Sequence, residues 1–253
     1  MAIRPLSPGL AQRVRAGGAA LLDLLLPLSC VVCEGALDAG ERGVVCGRCW
    51  SRVPALPHPQ CARCGHPSRR IGGACRWCEQ LPPYVRAVRS VCWAAGTGEA
   101  VVHALKYHGW RAAAGGMAER MARLAWPEDV VAERAALVPV PLAAARERER
   151  GFNQSRLLAE ALAPRWKVRI WDKCLRRERG TESQTRLTPG ERLRNVAGAF
   201  RASAGPSDPL RGAHVVLVDD VVTTAATLSA CAHALYDGGA RIVSCVTFAR
   251  ARA

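Results

Sequence analysis

The chain has 253 residues, is 49% hydrophobic and carries a formal net charge of +15. That length and apolar content exclude a disordered chain and leave room for one sizeable domain with a smaller one beside it. The charge is almost wholly arginine, with lysine only at Lys106, Lys167 and Lys173; such an excess attracts phosphate, in a nucleic acid or a small ligand, although an arginine-rich coding bias accounts for it equally well.

The first patterned segment is AALLDLLLPLS (19–29), which follows Arg13 and Arg15 and leads into Cys30. Asp23 and Pro27 interrupt it, and it is too short to span a bilayer. Pro27 stands where a lipid-anchor motif would carry leucine. The segment therefore reads as a short helix packed on the rest of the protein. A soluble, cytoplasmic protein with no membrane insertion is expected.

Eight of the twelve cysteines form four C-x-x-C pairs: Cys30/Cys33, Cys46/Cys49, Cys61/Cys64 and Cys75/Cys78. The gaps between them are 12, 11 and 10 residues. A C-x-x-C turn aims two thiolates at one ion, and two turns complete the Cys₄ tetrahedron of structural zinc. Disulfides would require export, and a row of redox dithiols would not need such regular spacing. Pairing in sequence joins Cys30, Cys33, Cys46 and Cys49, then Cys61, Cys64, Cys75 and Cys78; a cross-braced arrangement is the alternative, and spacing does not decide. Gly47 and Gly65 serve the tight turns. His58 and His66 are read as solvent or outer groups. Trp50 and Trp77, beside Arg48 and Arg76, either stack on single-stranded bases or fill a very small core.

Pro82 and Pro83 close this region, dividing the chain into a zinc module over residues 1–83 and an α/β domain over 84–253. VRAVRSVCWAA (85–95) reads as one or two strands, GEAVVHALKYHG (98–109) as a helix with a glycine stop, and 112–125 as a second helix. ALVPVPL (136–142) is a short strand, ARERERGF a charged stretch, and NQSRLLAEALA (153–163) a helix capped by Asn153. WKVRIWD (166–172) alternates like a strand, and TPGERLRNV (188–196) opens like a helix. HVVLVDD (214–220) is a buried strand, TLSACAHALYDGG (227–239) a helix and RIVSCVTFAR (241–250) a final strand. Strands alternating with helices imply a parallel sheet of βαβ units, with ligands bound beyond the carboxyl ends of the strands. Cys92, Cys174, Cys231 and Cys245 are read as core.

Asp219 and Asp220 end a run of buried aliphatics. Alternation sends them to opposite faces, and two adjacent acids belong at the rim rather than in the core. Val221, Val222, Thr223, Thr224, Ala225, Ala226 and Thr227 then lead into a helix N-terminus, where backbone N–H groups and hydroxyls form a phosphate cradle. Phosphate beside two carboxylates suits ribose 5-phosphate. The stretch resembles the phosphoribosyl-pyrophosphate (PRPP) loop of type I phosphoribosyltransferases, with Ala225 where that family has glycine; a positive φ there costs alanine roughly 1 kcal/mol.

With VPVPL (138–142), RGFNQ (150–154), Q-x-x-L-x-x-x-x-R-x-x-N-V (184–196) and LKYHG (105–109) added, the chain resembles the ComF family from Cys30 onward. The resemblance implies a type I phosphoribosyltransferase-like parallel sheet flanked by helices behind a double zinc-ribbon-like module. It implies catalytic roles for Asp219, Asp220 and Arg150. PRPP with Mg²⁺ would be held by residues 221–227 together with Arg146, Asn153 and Gln184. Residues 176–195, with Arg177, Thr181 and Arg192, are similar to a flexible hood. Phosphoribosyl transfer to a nitrogenous acceptor is then expected, linked to DNA uptake or nucleotide salvage. The alternative is a non-catalytic protein that binds single-stranded DNA or a competence helicase through a degenerate PRPP site.

Overall fold

The computed structural model describes residues 29–38, 40–41, 43–68, 75–107, 109–178, 198–203 and 209–252. The leading segment up to residue 28, Gln184 and TPGERLRNV lie outside the described residues. Among the described residues, the cysteine-rich part contributes a short helix, α1 (Gly47–Ser51), and a 3₁₀ turn at Cys78–Gln80.

Strand β1 (Val85–Trp93) follows, a single strand. Helices α2 (Gly96–Tyr107), α3 (Ala113–Ala122) and α4 (Glu128–Glu133) lead to β2 (Arg134–Pro139). The charged stretch is helical: α5 (Ala144–Arg150) ends on Gly151 at φ 76°. Arg, Glu and Ala all favour helix, and glycine supplies the left-handed stop. Helix α6 (Gln154–Trp166) starts as expected at Asn153, whose side chain accepts from the N–H groups of Ser155 and Arg156. It runs through Pro164 and shortens the expected strand to β3 (Arg169–Ile170). The sequence reading missed α4 and the antiparallel pair β4 (Leu175–Arg177) and β5 (Phe200–Ala202). Strand β6 (His214–Val222), helix α7 (Ala226–Asp237) and strand β7 (Ile242–Arg250) complete the chain.

The main sheet has the order β1-β7-β6-β2-β3, with every pairing parallel. β1 therefore joins the sheet at its far edge, although it precedes the βαβ run. β6 sits centrally and is buried almost throughout, as expected of a strand covered on both faces. Val216 and Val218 pack with α2, α3 and α6, whereas Val215 and Leu217 pack with α7, β4 and β5.

The chain leaves β2 toward the face covered by α6 and leaves β6 toward the face covered by α7. Diverging connections open a crevice between the carboxyl ends of the two strands, the switch point at which such sheets bind ligands.

Both halves of the cysteine region pack into this core, on opposite faces. Cys30, Val45, Cys46 and Cys49 share a cluster with α3 and Phe248. Cys64, Trp77 and Leu81 share the other with Val85, Val88 and α7. Arginines tie the second half down. Arg63 donates to the carbonyls of Cys78, Leu81, Pro82 and Val85, and Arg89 to those of Ala62, Arg63 and Ala125. Part of the charge surplus is thus structural. At Gly65 (φ 66°) a Cβ would stand 2.5 Å from the Val88 carbonyl oxygen, so glycine is needed there to let ribbon and strand meet. Among the described residues, no helix is long and apolar enough to cross a membrane.

Candidate functional site

The eight cysteines gather into two groups of four in sequential pairing, Cys30, Cys33, Cys46 and Cys49, then Cys61, Cys64, Cys75 and Cys78. The cross-braced alternative is thereby excluded. Within each group all Sγ atoms lie within 4.8 Å of one another, and three pairs stand 3.5 to 3.8 Å apart. Zn–S bonds of ~2.3 Å in a tetrahedron require edges of ~3.8 Å, so the groups fit structural Zn²⁺. The surroundings split the thiols. Burial pushes Cys49 and Cys64 up; at Cys30 burial also raises the pKa, but N–H groups of Cys46, Val32 and Cys33 outweigh it and bring the thiol to about 6. A divalent cation resolves that conflict by binding all four sulfurs as thiolates. Both tryptophans pack on the core: half-buried Trp50 lies against Phe248 with Arg120 3.6 Å over its ring, and buried Trp77 stacks on His66 beneath Arg250. That arrangement matches the small-core reading, most fully for Trp77.

Asp219 and Asp220 do not sit at an open rim. β6 continues through Val222, and both carboxylates are buried, 8% and 3% exposed. They are tolerated because each has a partner on its own face. Asp219 Oδ1 accepts from Ser155 Oγ at 2.8 Å and from the Asp220 N–H at 2.9 Å. Asp220 Oδ2 lies 3.0 Å from Lys106 Nζ at the end of α2. Even so, burial and then the neighbouring Asp220 push the Asp219 carboxyl up to about 7, against the pull of Ser155 and Lys106. Burial disfavours the Lys106 ammonium, but Asp220 and then Asp219 more than offset this and raise its pKa.

Thr223 and Thr224 follow, half-buried, and Ala225 adopts φ 58°, ψ −3° as the residue before α7. The left-handed geometry that a glycine would favour is therefore present with alanine, and Ala225 makes no side-chain cap. Helix α7 begins at Ala226 with no side-chain cap, and its N-terminus follows the carboxyl end of β6, where the helix dipole favours an anion. Among the described residues, Thr224 Oγ1 is buried without a hydrogen-bond partner, an unmet hydrogen-bonding demand at the edge of the crevice.

Across the crevice, Lys106, Tyr107, Gly109, Arg146, Glu149, Arg150 and Phe152 line a cleft of about 490 Å³. Arg146 is exposed on α5, whereas Arg150 donates to Gln154 Oε1 and lies 5.4 Å from the Tyr107 ring centre. Asn153 does not face the cleft: Oδ1 caps α6 and Nδ2 donates to the Val140 carbonyl, which fixes the loop after β2. Arg177 lies 5.2 Å from the Phe200 ring centre. The sequence reading gave no site role to Ser155, an ordinary helix-start residue, nor to Gln154 and Lys106, although these two stand in the motifs RGFNQ and LKYHG and Lys106 is one of only three lysines in an arginine-rich chain.

Residues 21–81 match the double zinc ribbon domain and residues 153–253 the phosphoribosyl transferase domain. The chain is 34% identical over 230 residues to the DNA utilization protein YhgH of Salmonella typhimurium, across 87% of this chain and 96% of that one. The chain belongs to the ComF family. Similarity extends to Competence protein F of Haemophilus influenzae, 26% over 79% of this chain and 87% of that one. Competence protein ComFC of Bacillus subtilis is 36% identical over 45% and 44% of the two chains. This ComF chain is thus a phosphoribosyltransferase-like protein related to competence proteins, with a double zinc ribbon built into its core.

Proposed function

We propose that this ComF protein binds PRPP with Mg²⁺ and transfers the phosphoribosyl group to a nitrogenous acceptor. The observation that carries the reading is the cradle: a buried carboxylate pair, an unpartnered Thr224 hydroxyl and an uncapped helix N-terminus, all at the switch point of a parallel sheet. The 5-phosphate fits residues 223–227, where backbone N–H groups and threonine hydroxyls donate to its oxygens. Asp219 and Asp220 accept from the ribose hydroxyls. Arg146 and Arg150 border the side on which the diphosphate would leave, and their field stabilises its growing charge. Mg²⁺ bound to the diphosphate would supply further charge neutralisation. The acceptor nitrogen attacks C1 as the diphosphate departs, so the chain's own residues serve mainly to hold the ribose still and balance charge.

The names of the relatives, DNA utilization protein and competence protein, support a setting in DNA utilization or competence; on this reading the protein works in the cytoplasm, with single-stranded DNA or a competence helicase as its partner. The reading is tested by calorimetric titration of PRPP with Mg²⁺ into zinc-loaded protein, beside an Asp219→Asn/Asp220→Asn double variant. Micromolar binding that the double variant loses is the expected result. A wild type that shows no heat with PRPP would end the proposal.

A further inference from the structure

Three of the thirty-six cationic side chains are lysines, and one of the three is in the site. Lys106 ends α2 with its side chain 21% exposed, and it is the one partner of Asp220 Oδ2 among the described residues. On its other side the same ammonium lines the cleft shared with Arg146 and Arg150. It stands on the boundary between a carboxylate and a cation-rich cavity that invites an anion. In this state it also occupies the carboxylate that a ribose hydroxyl requires under the PRPP reading.

A lysine can leave such a position more readily than an arginine. Its charge is a compact point on a four-carbon stem, and a change of rotamer carries Nζ through ~5 Å without breaking a planar, two-pronged bond. Moving it off Asp220 without a new partner would strand a buried anion and a half-buried cation, which is costly. A ligand that brings its own anion to the cleft removes that cost. A ribose with only a distant 5-phosphate does not, because that phosphate docks at the start of α7 on the other side of the carboxylates.

We propose that Lys106 is a partner-exchanging positioning residue: it neutralises Asp220 in the empty site and moves to the C1 diphosphate of the incoming ligand, freeing Asp220 for the ribose. The inference rests on the PRPP reading and deepens it by naming what makes the site select a 1-diphosphate over plain ribose 5-phosphate. Only the diphosphorylated sugar supplies the anion that releases Lys106.

The test is titration of Mg²⁺-PRPP and, separately, of ribose 5-phosphate with Mg²⁺ into zinc-loaded wild type, Lys106→Met and Lys106→Arg, with thermal melts to verify folding. Lys106→Met is expected to lose roughly ten- to hundredfold in PRPP affinity, the range for a charged hydrogen bond. It should hold ribose 5-phosphate as tightly as wild type or more so, because Asp220 is already vacant. Lys106→Arg should recover part of the PRPP affinity. Equal losses for both ligands, or an unchanged preference, would overturn the proposal and leave Lys106 a structural ion-pair partner. Because Lys106→Met leaves two buried carboxylates without their cation and can fail to fold, a second readout uses the wild type itself. The ¹⁵N signal of the Lys106 ammonium should shift on adding PRPP and show coupling to phosphorus, and a signal unmoved by saturating PRPP refutes the exchange. A wild type that binds neither ligand would instead refute the PRPP reading itself.

Discussion

Asp219 carries a charge that its surroundings oppose, and replacing it should make the protein more stable. It is buried in β6 beside Asp220, and its carboxyl is raised from 3.8 to about 7, first by burial and then by its neighbour. The folded pKa is thus the higher one. Between pH 4 and 7 the native state keeps a proton that the unfolded chain releases, so native stability falls as pH rises through that window. About three pH units correspond to about 4 kcal/mol, and sharing of the proton within the Asp219–Asp220–Lys106 group brings the expected effect to about 2–4 kcal/mol. The amide of Asp219→Asn removes the charge yet keeps an oxygen for the Ser155 hydroxyl and the Asp220 N–H, the two donors present now. Urea denaturation followed by tryptophan fluorescence, from pH 5 to 8.5 with zinc present, should show the variant more stable by that amount at pH 8. The gap should narrow steadily toward pH 5. A constant gap, or parallel curves with no gap, would refute the assignment of a strained carboxylate to this position.

Arg250 is fully buried, donates to the Cys64 carbonyl and lies 4.3 Å from the Trp77 ring centre. Arg250→Met should cost about 1–3 kcal/mol in the zinc-loaded protein and speed metal release from the second cluster, read with a colorimetric zinc indicator; two metal ions leaving at the wild-type rate would contradict this. Gly65→Ala should destabilise by at least about 1 kcal/mol, because the left-handed backbone and the Val88 carbonyl both oppose a Cβ; an unchanged melting temperature would count against the ribbon–strand contact. Ala225→Gly relieves about 1 kcal/mol of left-handed strain but loses a buried methyl and gains chain entropy on unfolding, so stability should change by less than about 1 kcal/mol. Its PRPP titration should be severalfold tighter, since the backbone can approach the phosphate more closely; weaker binding would argue that Ala225 suits the loop better than glycine. Chelation of zinc at neutral pH should alter the near-ultraviolet dichroism of the α/β core as well as that of the ribbons, because Cys49 and Cys64 belong to its two clusters. A change confined to the ribbon tryptophans Trp50 and Trp77 would refute that coupling.

Local chemistry made much of this protein legible from the chain alone. C-x-x-C spacing announces zinc because the ligand geometry is set within a few residues, and the Asn153 cap, the buried β6 run and the start of α7 after the threonine-rich loop are likewise short-range patterns. The sequence could also show that Ala225 replaces a glycine, since residue identity needs no coordinates. Tertiary structure decided the rest. Sequential rather than cross-braced zinc pairing depends on which turns meet in space. The ribbons lie on opposite faces of the sheet because β1, which follows them, forms its edge. The site's compensating partners were invisible for the same reason: Ser155 reaches Asp219 across 64 positions of the chain, and Lys106 reaches Asp220 from a helix that precedes β2. Two aspartates read as rim residues because bare charges cannot be buried. The fold buries them by bringing a hydroxyl and an ammonium from distant helices, and no local periodicity encodes that.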